Sequence, residues 1–329
     1  MAQLTETQQR GNSARNMTSL HIHTALLRHP QLSVALDKQV LLKMENTQPA
    51  GSFKLRGIGL LCQRAVAGGA SHLVCPSGGN AGFAAAFAGA ALGVRTTIVV
   101  PQTTAAEVCQ RIRDIGAEVI VHGSVWDEAN QLALQLCEQP GSIYIPPFDH
   151  PDIWDGNATM IDEAVLQARE LGVDFDVVIC SVGGGGLMSG VLSGLHRNGL
   201  PHIPLIVAET EGAASLNAAM AAGELVTLPA ITSIATTLAA KRVAAECFAW
   251  TQRHEVHSVV VSDKQAVSAT LAFADQMRTL VEPACGAALA VAYEKLPALA
   301  PYQRPLIVVC GGIGVSLSML AGWKERFAL

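Results

Sequence analysis

Three short segments of this chain carry residue types whose spacing suits chemistry. The first is Ser52-Phe53-Lys54, set within Gly51-Ser-Phe-Lys-Leu-Arg-Gly57. A β-prone run over 40–44 precedes it and a helical run over 55–67 follows. A lysine at a helix start lies at the positive end of the helix dipole, and burial further disfavours the ammonium form. Both effects push the amine towards the neutral nucleophile that an imine requires. Taken alone, the segment also fits an ordinary surface lysine at a helix start.

The second segment is Ser77-Gly78-Gly79-Asn80-Ala81-Gly82. It joins an expected strand over 72–76 to an expected helix over 80–92. That places it at the carboxyl end of a parallel strand, where such sheets bind ligands. Its glycines allow close backbone approach, and unpaired N–H groups at the helix start suit a carboxylate. A plain turn with Asn80 capping its helix fits as well. The third segment is Gly183-Gly184-Gly185-Gly186, between an expected strand over 176–182 and a helix over 187–195. Four successive glycines exceed what a turn needs and suit a nest of N–H groups around a phosphate. No Gly-Lys-Ser/Thr follows, and Ser189 stands where a dinucleotide fingerprint has its third glycine. The phosphate therefore belongs to something smaller than a dinucleotide. A nucleophilic lysine, a carboxylate loop and a phosphate cup together are what pyridoxal phosphate and an amino acid require.

The elements that must position these segments follow one rhythm. Strands over 96–101, 117–121 and 142–145 alternate with helices over 104–115 and 125–137, which is the pattern of parallel strands with helical crossovers. After Pro151 the rhythm resumes, with further strands expected over 205–209, 259–261 and 306–310. No low-complexity segment divides the halves. The expectation is an α/β protein with two parallel-sheet domains and the chain crossing between them.

Composition narrows the function classes. The chain has 329 residues, 50% hydrophobic and 15% charged, enough for a large core. A net charge of −5 gives no broad field for nucleic acid or an anionic membrane, so neither is expected as a partner. None of the eight cysteines forms a C-x-x-C pair, and several sit in apolar runs, which reads as buried free thiols in a reducing compartment. Residues 1–17 lack the apolar core of a secretory signal and read as a flexible leader. The close histidine pairs, His21/His23 and His254/His257, lack a zinc spacing and read as ordinary surface or core residues. Glu282 before Pro283 reads as a helix start.

With these motifs the chain resembles the fold type II pyridoxal-phosphate enzymes, and within them the L-serine/L-threonine dehydratases. Pro146-Pro-Phe-Asp149, Val281-Glu-Pro-Ala284 and Val309-Cys-Gly-Gly312 add to the likeness, which runs in order from about residue 20 onward. It is most similar to short serine dehydratases with a cysteine, here Cys310, opposite the pyridine nitrogen. One departure is Thr24-Ala25-Leu26, where relatives often have Thr-Pro-Leu.

The resemblance implies two open twisted parallel-sheet domains with the cofactor between them. Residues 18–53 and 152–329 would form a large cofactor-binding domain, and 54–151 a small substrate-binding domain. Lys54 would carry the cofactor as a Schiff base and move the α-proton. Phe53 would lie against the ring and Asn80 at its hydroxyl. Ser77, Gly79, Asn80 and Ala81 would hold the substrate carboxylate. Gly183, Gly184, Gly185, Gly186 and Leu187 would hold the phosphate, and Cys310 would face the ring nitrogen. A monovalent cation, potassium, would bind Glu209, carbonyls of Gly183, Ala213, Leu238 and Ala240, and Ser215. A carboxylate satisfied by backbone N–H groups is the other reading of Glu209. The implied reaction is β-elimination and deamination of L-serine, and also of L-threonine, in a cytoplasmic homodimer. Serine racemisation, threonine or cysteine synthesis, or cofactor binding without turnover are the alternatives. Gly78 bears on the first: racemases of this kind have a serine two residues before the asparagine, and its hydroxyl reprotonates the substrate.

Overall fold

The computed structural model describes residues 18–329, so the leader expected over 1–17 lies outside the described residues. The first half runs β1 (Leu26–Arg28), α1 (Pro30–Leu36), β2 (Leu41–Lys43), α2 (Lys54–Ala67), β3 (His72–Cys75), α3 (Asn80–Leu92), β4 (Arg95–Val100), α4 (Ala106–Asp114), β5 (Glu118–Val121), α5 (Trp126–Leu136) and β6 (Ser142–Tyr144). The second half runs α6 (Pro151–Glu170), β7 (Val177–Ser181), α7 (Gly186–Arg197), β8 (Leu205–Thr210), α8 (Ser215–Ala222), α9 (Ala245–Trp250), β9 (Val256–Val261), α10 (Asp263–Met277), α11 (Pro283–Tyr293), β10 (Pro305–Val308) and α12 (Leu317–Arg326).

The strands form two sheets. One has six strands in the order β1-β2-β10-β7-β8-β9, and the other four in the order β5-β4-β3-β6. All neighbours are parallel except β1, which pairs antiparallel with β2, Leu27 opposite Leu42. The larger sheet is therefore mixed at one edge, where parallel strands alone were expected. β7, β8 and β10 are buried along their whole length, as continuous apolar runs in central parallel strands should be. Their register places Ile307 beside both Leu42 and Ile179.

Helices cover the faces. α3 and α11 are buried nearly all round, which their alanine-rich sequences permit. α3 seats closely: a Cβ on Gly82 would stand 1.8 Å from the Ser77 carbonyl oxygen. α6 starts with Pro151 behind a capping His150 and crosses α2 at two glycines. A Cβ on Gly57 would meet the Ile153 oxygen at 2.4 Å, and one on Gly156 the Arg56 oxygen at 2.4 Å. Neither backbone could approach so near with any larger residue.

A buried charge cluster locks this crossing. Arg56 is fully buried and bonds Glu45 (Nε to Oε2 2.7 Å, Nη2 to Oε1 2.8 Å) and Glu163 (2.6 and 2.7 Å). Lys43 donates to Glu163 at 2.8 Å, to the Thr24 carbonyl and to Gln167, both at 2.9 Å. Two cations meet two anions, and removing one partner from such a set costs about 3–5 kcal/mol. All eight cysteines are free thiols, as the spacing suggested. Among the described residues no helix is long and apolar enough to cross a membrane.

Candidate active site

α2 begins at Lys54 itself, with Phe53 at the cap. The segment leading into it is stitched to the strand-end loop after β10. Phe53 N–H donates to the Cys310 carbonyl at 3.0 Å, Gly312 N–H to that of Gly51 at 3.1 Å, and Ser52 pairs with Gly311. Lys54 Nζ donates to the Pro147 carbonyl at 2.6 Å and lies 5.2 Å from the Phe53 ring centre and 6.0 Å from that of Phe148. Its side chain is partly exposed while the amine is enclosed by protein. Desolvation lowers its pKa to about 8, against smaller upward pulls from Cys75, Cys310 and Glu282. That matches the expected direction, with burial as the main cause.

Phe148 links the lysine to the glycine loop. A Cβ on Gly184 would sit 2.3 Å from the Phe148 ring, and one on Gly186 2.7 Å from the Phe148 carbonyl oxygen. Gly185 has φ +93°, and its Cβ would strike Cys247 at 2.3 Å. On Gly183 a Cβ would be 3.0 Å from the Leu238 Cα. All four glycines therefore answer to close neighbours, and Gly185 also to its backbone angle. Together they present the N-terminus of α7, preceded by the buried strand β7. Asn157, which sequence reasoning did not single out, spans the two helix starts: it accepts from Gly57 N–H at 3.1 Å and donates to the Gly186 carbonyl at 2.9 Å.

The asparagine loop arrives from the smaller sheet. Ser77 Oγ accepts from Gly79 N–H at 3.3 Å, inside the loop. Asn80 is buried and donates from Nδ2 to Glu282 Oε1 at 2.7 Å, and Thr237 Oγ1 donates to the same oxygen at 3.0 Å. Thr237 borders Gly183, so this chain of contacts runs from the asparagine loop to the glycine loop. Glu282 does start its helix, but its side chain makes no cap bond there. Its place in the cleft was missed, because its partners lie 202 and 45 residues away in sequence.

Cys310 Sγ lies 3.5 Å from Ser181 Oγ, at the ends of adjacent strands. Glu209, near the end of β8, accepts from Leu216 N–H at 2.8 Å and Asn217 N–H at 2.7 Å. Desolvation still raises its pKa to about 7. Ser215 Oγ is buried there with no partner, and Leu238 and Ala240 are tied by a 2.7 Å backbone bond. His254 bonds His196 and the Ile203 carbonyl, and His21 and His23 flank Glu163.

This donor set fits a group with an aldehyde, a phosphate and an aromatic nitrogen. The amine is poised, a glycine-lined helix start packs against the same Phe148 that the amine lies over, and a thiol stands just past a strand end. Asn80 Oδ1 and Ser52 Oγ are buried without protein partners, which leaves polar capacity for such a group.

The family described as pyridoxal-phosphate dependent enzyme matches residues 17–311. A human protein called serine dehydratase-like is 47% identical, over 93% of this chain and 94% of that protein. The human L-serine dehydratase/L-threonine deaminase is 45% identical, over 94% and 96%. A crystal structure of a fungal L-serine ammonia-lyase from Rhizomucor miehei superposes with a TM-score of 0.87 at 38% identity, covering 94% of this chain and all of that one.

Proposed function

The chain belongs to the fold type II pyridoxal-phosphate-dependent enzymes, and on that premise we propose that it is an L-serine ammonia-lyase which also accepts L-threonine. It removes water across the Cα–Cβ bond of L-serine and, after hydrolysis, yields pyruvate and ammonia; L-threonine yields 2-oxobutyrate. Relatives at 45% and 47% identity over nearly their whole length carry names for this chemistry. The observation that carries the reading is Lys54, whose amine has a pKa of about 8 and is held at the Pro147 carbonyl.

Pyridoxal phosphate, when bound, supplies the electron sink that makes an amino-acid α-proton removable. Lys54 would hold it through its amine, and that amine would also act as the base towards the α-proton. A pKa of about 8 suits a base that must work near neutrality. The N–H groups of Gly183, Gly184, Gly185, Gly186 and Leu187 would hold the phosphate. Phe53 would lie against the ring and Asn80 at its hydroxyl. Ser77 and the N–H groups of Gly79, Asn80 and Ala81 would grip the substrate carboxylate. A thiol at Cys310 offers the ring nitrogen no negative charge, which suits elimination over transamination.

In domain terms, residues 18–53 with 152–329 form the cofactor-bearing unit and 54–151 the substrate-binding unit. Potassium would bind at Glu209 and Ser215 with the carbonyls of Gly183, Ala213, Leu238 and Ala240; the unpartnered Ser215 hydroxyl supports this. A cytoplasmic homodimer is the expected setting, and the free thiols agree with a reducing compartment. The test is pyruvate and 2-oxobutyrate formation from a panel of hydroxy amino acids, with and without potassium. No keto acid from any of them, in protein that shows the near-visible band of bound cofactor, would overturn the activity.

A further inference from the structure

Glu282 is 5% exposed and opens α11 with its carboxyl turned into the protein. Oε1 accepts from Asn80 Nδ2 at 2.7 Å and from Thr237 Oγ1 at 3.0 Å. The three residues come from separate parts of the fold. Asn80 heads α3 beside the smaller sheet, Thr237 lies in a turn beside Gly183, and Glu282 belongs to a helix under the larger sheet. Gly311 leaves room for the meeting, since a Cβ there would press on Ser52 Cβ at 3.0 Å and on Asn80 Nδ2 and Glu282 Oε1 at 3.3 Å.

A carboxylate only accepts, so the Asn80 amide must turn Nδ2 towards it. Oδ1 is left buried with no protein partner. An unpaired polar atom in that place is costly and persists where something else is to be bound. Glu282 makes no side-chain bond to its own helix, so capping does not account for it. Its backbone N–H goes to the Gly311 carbonyl at 3.2 Å, which fixes the carboxyl against the loop after β10.

We propose that Glu282 is a positioning residue for the Asn80 amide, holding it in one orientation towards the ring hydroxyl of bound pyridoxal phosphate and tying it to the turn beside the phosphate loop. The inference rests on the functional reading above. Burial raises the Glu282 carboxyl above the ordinary carboxylate range, against lowering by Asn80, Thr237 and Lys54. The groups that face it are those three, from α3, the Thr237 turn and α2, with Gly311 and Gly314 from the loop after β10; of these only Lys54 carries charge.

The experiment uses cofactor-loaded protein: wild type, Glu282→Gln, Glu282→Ala, Asn80→Ala and the double variant Asn80→Ala/Glu282→Ala. The readouts are the near-visible absorption of bound cofactor against pH, cofactor affinity, and kcat separately from KM. Glu282→Ala should shift the absorption and lower kcat roughly 10-fold or more, with KM changed less. Glu282→Gln keeps an acceptor and should restore kcat to within about 3-fold. In the Asn80→Ala background, Glu282→Ala should add less than about 2-fold, because its route of action is gone. An equal loss in both backgrounds, or an unshifted band in Glu282→Ala, overturns the proposal. Glu282→Asp, which withdraws the oxygens by one methylene, gives the same test should the alanine variant not fold. A wild type that binds cofactor but forms no keto acid would strike the activity instead, leaving the spectral comparison to judge Glu282.

Discussion

Phe53 donates its backbone N–H to the Cys310 carbonyl at 3.0 Å. The segment that presents the lysine and the segment that presents the thiol are thus neighbours in one small ladder, although 256 residues separate Lys54 from Cys310 in the chain. Their spacing is set by backbone hydrogen bonds, which glycines at 51 and 312 permit, since a Cβ at either would stand 2.5 Å from a neighbour.

Lys54→Ala should leave the fold intact and abolish steady turnover. Borohydride reduction of the wild type followed by mass spectrometry should find the cofactor on Lys54, and label on another lysine would refute the assignment. The cofactor-free protein gives a second reading. The folded amine has a pKa of about 8 against an ordinary 10.5, so between these values the unfolded chain binds more protons. Stability then rises with pH through that window, and the penalty is constant below about 8. Chemical denaturation of cofactor-free wild type and Lys54→Met should show that difference closing as pH rises; parallel curves would mean the amine is not desolvated.

Glu209 works in the opposite sense. Its folded pKa of about 7 lies above an ordinary 4.5, so the folded state binds the extra proton and stability falls as pH rises between them. A bound cation would relieve the charge. Potassium should therefore stabilise the protein more at pH 8 than at pH 5, and Glu209→Gln should remove the difference and raise the potassium needed for half-activity. Full activity in sodium- and potassium-free buffer would rule the site out.

Gly184→Ala should not be tolerated, because its Cβ would stand 2.3 Å from the Phe148 ring. The expected cost is about 1–3 kcal/mol of stability, with a marked loss of cofactor affinity. Gly59→Ala is the control. It lies in α2 with its nearest outside neighbour at 3.5 Å, and should stabilise by up to about 1 kcal/mol. Titration of cofactor into both apoproteins, followed by fluorescence, separates the two outcomes.

Cys310→Ala should cost of order 1 kcal/mol in stability while lowering kcat, since the thiol packs against Ser181 but its chief role is towards the ring nitrogen. Unchanged kcat would assign that nitrogen to another group.

The wild type should form little or no D-serine, because Gly78 offers no hydroxyl for reprotonation from the second face. Chiral analysis of the serine pool during turnover checks this. A side chain at 78 would also meet Thr104 Cγ2 at 2.9 Å and Val100 Cγ1 at 3.2 Å, so Gly78→Ser should slow elimination as Thr104 gives way.

The local part of this site could be read directly from the residues. α3 begins and ends where the spacing placed it, Asn80 to Leu92, because a glycine-rich turn starts it and Gly93 in the left-handed region stops it. The three motifs are each contiguous, and the amine's depressed pKa follows from a helix start inside a core. What escaped was contact between distant segments. Asn157 and Glu282 look like an unremarkable helix residue and a helix start until folding brings Gly57, Gly186, Asn80 and Thr237 to them. Strand β1 escaped for a different reason: three residues with one buried position leave no period to detect. α10 lies outside the expected elements despite a full Ser262–Gln265 capping box, since half of its apolar positions are alanine and dilute the helical pattern.

The cluster of Arg56, Lys43, Glu45 and Glu163 sums to no net charge. Arg56 lies only two residues beyond Lys54 on the same helix, and an isolated guanidinium there would repel an ammonium and depress the amine further. The two carboxylates cancel that field at its source, and the principal influences on the Lys54 pKa are burial, two thiols and Glu282. The base of the helix is thus mechanically braced yet electrostatically silent. Conservative changes that keep the cluster neutral should leave the acid–base behaviour of the cleft untouched, while any change that strips one charge would be felt at the amine as a long-range potential.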